Sequence, residues 1–201
     1  MPVFLALYGA ATAQTASLDL LRRAMDPNPT LQSYTATAAL DAVWNVVIPV
    51  HQTLTGTVYY RKPKRSIVFD NVPAPLRNFK ELTSTTPTYE QSVAEYTITA
   101  LADDAGVSTF SLVPKKTEGR VKSLTLTVDD STALISRAVW SYTDGATLRL
   151  DETYTTVGSF RLPSEDAIAA RFPAYSVDGT LRFSHYEPNA HVDPALFSKS
   201  P

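Results

Sequence analysis

The sequence predicts a mainly β (α+β) protein: an antiparallel sheet of about ten strands, curved into an incomplete barrel and covered by one or two helices. Three observations predict it. Apolar and polar residues alternate along most of the chain, turn dipeptides interrupt that alternation at short intervals, and helical spacing is confined to short segments. The alternation is clearest in Val121–Val157. There Leu124, Leu126 and Val128 share one parity, as do Leu134, Ala138, Trp140 and Tyr142, and then Leu148, Leu150 and Tyr154. Successive strand side chains point to opposite faces, so each run has one apolar and one solvated side. Asp129-Asp130-Ser131 and Asp144-Gly145 separate the runs, the second a hairpin signal because glycine accepts positive φ. The result is an antiparallel meander whose apolar face needs a cover.

Composition sets the bounds. A chain of 201 residues is expected to form one domain, and 44% hydrophobic with 19% charged residues excludes a disordered chain. The net charge of −2 gives no footing for nucleic acid. The basic run Arg61-Lys62-Pro63-Lys64-Arg65 reads as a solvated turn, with a patch for anionic headgroups or an acidic partner as the sharper alternative. There is no cysteine, which removes disulfides, thiolate metal sites and a cysteine nucleophile. At the N-terminus, the apolar run Val3–Ala11 and the small-x-small triplet Ala11-Thr12-Ala13 resemble the end of a secretory signal peptide, although a basic leader segment is missing. Residues 1–13 are therefore expected to be a signal remnant and residues 14–201 the domain, in the periplasm or secreted. A buried N-terminal helix is the alternative.

In chain order, Thr15–Met25 is an expected amphipathic helix with Leu18, Leu21 and Met25 on one face, halted at Asp26-Pro27. Ser33–Trp44 is the first strand, with Tyr34, Ala36, Ala38, Leu40, Ala42 and Trp44 inward. Its alanines leave room for a cavity or for a closely packed helix. Thr53–Arg61 and Arg65–Asp70 follow as strands, with Leu54, Gly56, Val58 and Tyr60, then Ile67 and Phe69, inward. Val72–Glu81 carries two prolines and a short helix from Leu76, and Thr83–Thr88 is an expected mobile loop. Strands resume at Val93–Leu101 and Val107–Val113, before the meander. Asp166–Phe172 and Thr180–Tyr186 close the sheet, with a hairpin turn expected at Asp178-Gly179.

Catalytic signatures are weak. His51, His185 and His191 are the only histidines, and neither HxH nor HExxH spacing occurs. No GxSxG is present, and Asp103-Asp104 and Asp129-Asp130 read as turn carboxylates. No metal site, cofactor or enzymatic activity is expected. A hydrolase would need His185 to converge with Ser184 or an aspartate in a cleft.

Several phrases carry a resemblance. They are the opening amphipathic helix followed by Tyr34-x-Ala36-x-Ala38, then Phe110-Ser111-Leu112-Val113-Pro114-Lys115 leading into Leu124–Asp129. They continue with Phe160-Arg161-Leu162-Pro163 and the ending Phe183-Ser184-His185-Tyr186-Glu187-Pro188-Asn189 with Val192-Asp193 and Leu196-Phe197. Together they resemble the LolA/LolB-like outer-membrane lipoprotein-carrier (lipoprotein-sorting protein) superfamily. The resemblance implies a half-open β-barrel with helices over its mouth, a place outside the cytoplasm and a cavity for acyl chains. The arginine that such carriers place among their early strands is missing from Tyr34–Trp44.

The expected ligand wall is Tyr34, Leu40, Trp44, Val58, Tyr60, Phe69, Phe110, Leu112, Leu126, Trp140, Tyr142 and Leu150. The expected lid is Leu18, Leu21, Met25, Leu76 and Phe79. The expected function is a lipid-binding or lipoprotein-carrier role, with ligand release on lid opening. The alternative is a periplasmic sensor or protein-interaction domain of the same fold with a filled interior. The expected partners are lipid or lipoprotein acyl chains and a membrane-associated protein, with no nucleic acid, and the expected state is a monomer.

Overall fold

The computed structural model describes residues 17–46, 48–74, 80–104 and 106–197. The expected signal remnant and the expected lid residues Leu76 and Phe79 lie outside the described residues. After helix α1 (17–25) come β1 (Ser33–Asn45), β2 (Val50–Arg61), β3 (Lys64–Phe69) and β4 (Glu81–Thr85). Next are helix α2 (Tyr89–Glu95), β5 (Tyr96–Asp104), β6 (Val107–Pro114), β7 (Val121–Asp129) and β8 (Leu134–Tyr142). The chain continues with β9 (Thr147–Val157), β10 (Phe160–Arg171), β11 (Ser176–Pro188) and a 3-10 turn, Pro194–Phe197. The class is the expected one, antiparallel β with few helices, and the described strands number eleven.

The chain divides into two compact units. The first holds the described residues 17–27 with Thr88–Asp144, and the second holds Asn28–Pro87 with Gly145–Pro201. In the first, the strands run β8-β7-β6-β5, all antiparallel. Helix α1 buries Leu20, Leu21 and Ala24 in a cluster with Phe110, Leu112, Leu126, Val128 and Ala138. The buried face is thus rotated from the expected stripe. Leu21 is central, Met25 packs partly buried against the cluster, and Leu20 and Ala24 complete the inner face. Arg22 lies over the Tyr89 ring, 4.8 Å from its centroid, tying the two helices.

Helix α2 falls where strand and loop were expected. Its start is a capping box: Gln91 N–H donates to Thr88 Oγ1 at 3.2 Å, and Thr88 N–H donates to Gln91 Oε1 at 2.8 Å. Two of the orphan donors of a helix N-terminus are satisfied this way, which outweighs the strand reading of the residues that follow.

In the second unit the order is β4-β3-β2-β1-β11-β10-β9, every pair antiparallel. All six inward residues expected on the first strand, Tyr34, Ala36, Ala38, Leu40, Ala42 and Trp44, are buried. The first half of the expected Thr83–Thr88 loop, Thr83–Thr85, is instead the end of β4, which pairs Lys64–Val68 with Glu81–Thr85. Asp178-Gly179 is not a turn but lies inside β11, with Gly179 opposite Ala42 and Ile168. A Cβ on Gly179 would sit 2.8 Å from the Ala42 Cβ, so glycine serves close strand approach there. His51 lies in β2 rather than a loop and pairs with Asp41 across β1.

Candidate functional site

Each unit contributes one candidate surface. In the first, an open groove of about 300 Å³ lies between the helices and the sheet. It is lined by Leu18 of α1, Tyr89 and Val93 of α2, Tyr96, Thr97 and Ile98 of β5, and Lys115. The lining is mostly apolar, and Val93 remains 42% exposed at the groove. Lys115 is held at one side by its Nζ, which donates to the Val93 carbonyl at 2.7 Å.

In the second unit the sheet curls. On a flat sheet β3 and β11 would be about 14 Å apart, three strand spacings. Yet the Arg65 guanidinium of β3 lies 6.0 Å from the centroid of the Phe183 ring of β11. The concave face so formed carries Leu54, Val58, Ile67, Phe69, Leu162, Leu181 and Phe183 in one buried cluster with the β1 row. Tyr60, Ile168, Val177 and Tyr186 pack against it, partly buried.

A set of ionisable groups interrupts this apolar face. Asp166 of β10 stands directly opposite Glu152 of β9, on the side shared by Leu150 and Ile168. Asp166 is 3% exposed, and its Oδ1 is buried with no hydrogen-bond partner among the described residues. Glu152 accepts a hydrogen bond from the Tyr154 hydroxyl at 2.7 Å. Arg65, partly buried, lies near the Tyr34 hydroxyl and opposes the rise in its pKa. Tyr34 stacks on Tyr60 at 4.8 Å and meets Tyr186 edge-on at 5.3 Å. Tyr186 donates to the Pro163 carbonyl at 2.6 Å.

The electrostatics follow from this placement. Burial pushes the Asp166 carboxyl up, the facing Glu152 pushes it further, and Arg65 opposes both; the result is about 7. Burial likewise raises the phenols of Tyr34, Tyr154 and Tyr186. For Arg65 burial disfavours the charge, but Tyr34, Asp166, Glu152 and Tyr186 outweigh it and hold the guanidinium protonated.

The expected ligand wall divides between the units. Tyr34, Leu40, Trp44, Val58, Tyr60 and Phe69 belong to the apolar cluster of the second unit; Leu150 lies in the same unit on β9, opposite Ile168, but outside that cluster. Phe110, Leu112, Leu126 and Trp140 belong to the cluster of the first. Tyr142, in the same unit, ends β8 opposite Val121. Of the lid residues, Leu18 lines the groove, while Leu21, fully buried, anchors α1.

Arg65, Glu152, Asp166 and Tyr186 were missed. All but Tyr186 sit on the apolar parity of their strands, beside Ile67, Leu150 and Ile168, which was the available signal. Arg65 also takes an inward arginine to β3, where β1 has none. Ser184 and His185 do touch, at 3.0 Å, but both are exposed rather than in a cleft. Among the described residues no group of histidines and carboxylates is placed to hold a metal ion.

No family model and no curated protein matches the chain. Solved structures do. A LolA superfamily protein of Nitrosomonas europaea superposes with a TM-score of 0.62 at 11% identity, covering 91% of this chain and 97% of its own. A domain described as an outer membrane lipoprotein-sorting protein, from Vibrio parahaemolyticus, gives 0.63 at 12%, covering 90% and 95%. A DUF1329 family protein of Desulfovibrio piger gives 0.57 at 14%, covering 92% and 96%. At such identities the likeness is one of fold: the chain has the fold of the LolA superfamily. No helix among the described residues is long and apolar enough to cross a membrane.

Proposed function

We infer that the chain is a non-enzymatic, extracytoplasmic lipid-binding or lipoprotein-carrier protein that holds an acyl chain against its sheet under helical cover. The observation that carries this reading is the apolar groove of about 300 Å³ between α1, α2 and β5. The groove is open to solvent, so it would take an acyl chain laid along its apolar lining. Each methylene transferred from water into it contributes about 0.8 kcal/mol, so retention needs neither cofactor nor covalent chemistry. Leu18 and Val93 line the groove, while Leu20, Leu21 and Ala24 keep α1 seated. The fold, shared with a domain described as an outer membrane lipoprotein-sorting protein, supports the same reading.

The test is native mass spectrometry of the protein purified from a periplasmic or secreted fraction, followed by lipid extraction. A stoichiometric bound lipid, or uptake of added fatty acid, is the expected result. A clean unliganded mass with no uptake would refute the carrier reading and favour a protein-interaction module.

A further inference from the structure

Among the described residues that line the groove of the first unit, Lys115 alone is charged, and none is acidic. The backbone N–H of Lys115, directly after β6, donates to the Glu95 carbonyl at 2.8 Å, which seats the residue beside the end of α2. Its Nζ then reaches back to the Val93 carbonyl at 2.7 Å. That bond closes the last turn of α2, where the helix carbonyls are otherwise unsatisfied. It also fixes the ammonium at the groove, next to a valine whose side chain helps to line it. A lysine ammonium has more than one N–H donor, and the Val93 carbonyl takes one. No carboxylate among the described residues forms an ion pair with Lys115. A second cation stands against the same wall. The Arg22 guanidinium lies over the ring of Tyr89, another lining residue, and its counter-ion Asp19 is 3.6 Å away in solvent. Lysine and arginine are cations at neutral pH without help from their surroundings. The groove therefore joins an apolar wall to a positive rim.

We propose that this groove takes a single-chain carboxylate amphiphile, a fatty acid anion in kind, with its tail on Leu18, Val93 and Ile98 and its head on the Lys115 ammonium. A cationic head would meet Lys115 and Arg22 as like charges. A neutral head would leave the ammonium to water. A carboxylate supplies one opposite charge, and its oxygens accept from the N–H donors that Val93 does not use. The proposal rests on the acyl-chain reading of this groove for the tail and adds the charge of the head. Tail burial supplies most of the affinity, and the exposed ion pair supplies selectivity.

The test titrates the intact protein at neutral pH with octanoate, octanol and octylamine, three probes with one tail. Methyl NMR signals report both where each probe binds and how tightly. Octanoate should shift the Leu18, Val93 and Ile98 methyls and bind about three- to fivefold more tightly than octanol, the gain expected of an exposed ion pair. Octylamine should bind more weakly than octanol. Raising salt from about 50 mM to about 500 mM should shrink the octanoate advantage without weakening octanol. Lys115→Met, which keeps an unbranched stem, should bring octanoate down to the level of octanol, and Lys115→Arg should keep the preference. Lys116→Met, next along the chain and outside the lining, should keep it too. The probe and salt comparisons on the unaltered protein stand even if Lys115→Met loosens α2. Equal groove shifts from the three probes, or tightest binding by octylamine, would overturn the head-group assignment and leave the acyl-chain groove intact. No groove shifts from any probe would overturn both.

Discussion

Asp166 concentrates the consequences at the scale of single residues. Its ordinary value is 3.8, and burial, then Glu152, carry it to about 7 in the folded chain. Between those values the native state keeps a proton that the unfolded chain has released. Stability therefore falls as pH rises from about 4 to about 7 and levels off above, by roughly 4 kcal/mol for a shift of about three units. Asp166→Asn removes this dependence. In urea denaturation at pH 4.5 and pH 8, the asparagine variant should gain several kcal/mol on the parent at the higher pH; a constant gap between the two proteins would count against the buried carboxyl. The glycines make a second residue-scale case. A Cβ at Gly56 would collide with the Val68 carbonyl and lie 2.8 Å from the Phe69 Cα, whereas at Gly179 the nearest atom is the Ala42 Cβ at 2.8 Å and the nearest backbone atom, the Asp41 carbonyl oxygen, is at 3.0 Å. Gly179→Ala should cost about 1–3 kcal/mol and Gly56→Ala at least the top of that range, because backbone yields less than a methyl group. A lower urea midpoint at unchanged slope is the readout. Strand parity made the inward face of β1 readable residue by residue. The same parity also placed Arg65, Glu152 and Asp166 inward, but a charged side chain reads as solvent-facing until a partner across the sheet is known. That partner is set by curvature, which no local pattern records.

At the scale of elements, legibility followed how local each cause is. The strands β1, β2, β7 and β8 are fixed by alternation within a few residues, and their bounds emerged within a few positions. Helix α2 was just as local: Thr88 and Gln91 spell a capping box three residues apart, obscured by the β-like run from Val93. β4 was different. Glu81–Thr85 is largely exposed and has no apolar parity, so only its pairing with β3 makes it a strand. Gly179 was misread because Asp-Gly carries a turn signal wherever it occurs, while the actual reversal is at Phe172–Tyr175, where the two rings stack at 4.7 Å. The cap gives the element-scale prediction. Thr88→Ala should cost about 1 kcal/mol and loosen α2 before anything else. Faster hydrogen exchange at residues 91–95, with α1 unchanged, is the expected pattern; equal loosening of α1 would show that the helices open as one body.

At the scale of the molecule, the chain builds two hydrophobic clusters from interleaved segments. The described residues 17–27 join Thr88–Asp144, and Asn28–Pro87 joins Gly145–Pro201. Neither cluster can form from one continuous stretch, so each depends on pairings distant in sequence, β1 with β11 above all. Composition could bound such a molecule but could not assign a strand to a cluster, since both share the same alternation. Separate clusters imply separable local stability. Leu21, fully buried on the inner face of α1, belongs to the first cluster, and Phe69, 1% exposed, to the second. Truncation to alanine should cost about 2–5 kcal/mol at Leu21 and about 3–5 kcal/mol at Phe69. Under native conditions Leu21→Ala should lower exchange protection in β6 and β7 while β1 and β11 keep theirs, and Phe69→Ala should do the reverse. Hydrogen exchange resolved by mass spectrometry reads both at once. If either substitution lowers protection evenly across all four strands, the two clusters unfold as one, and the groove beside α1 cannot open without loosening the curled sheet that holds Asp166.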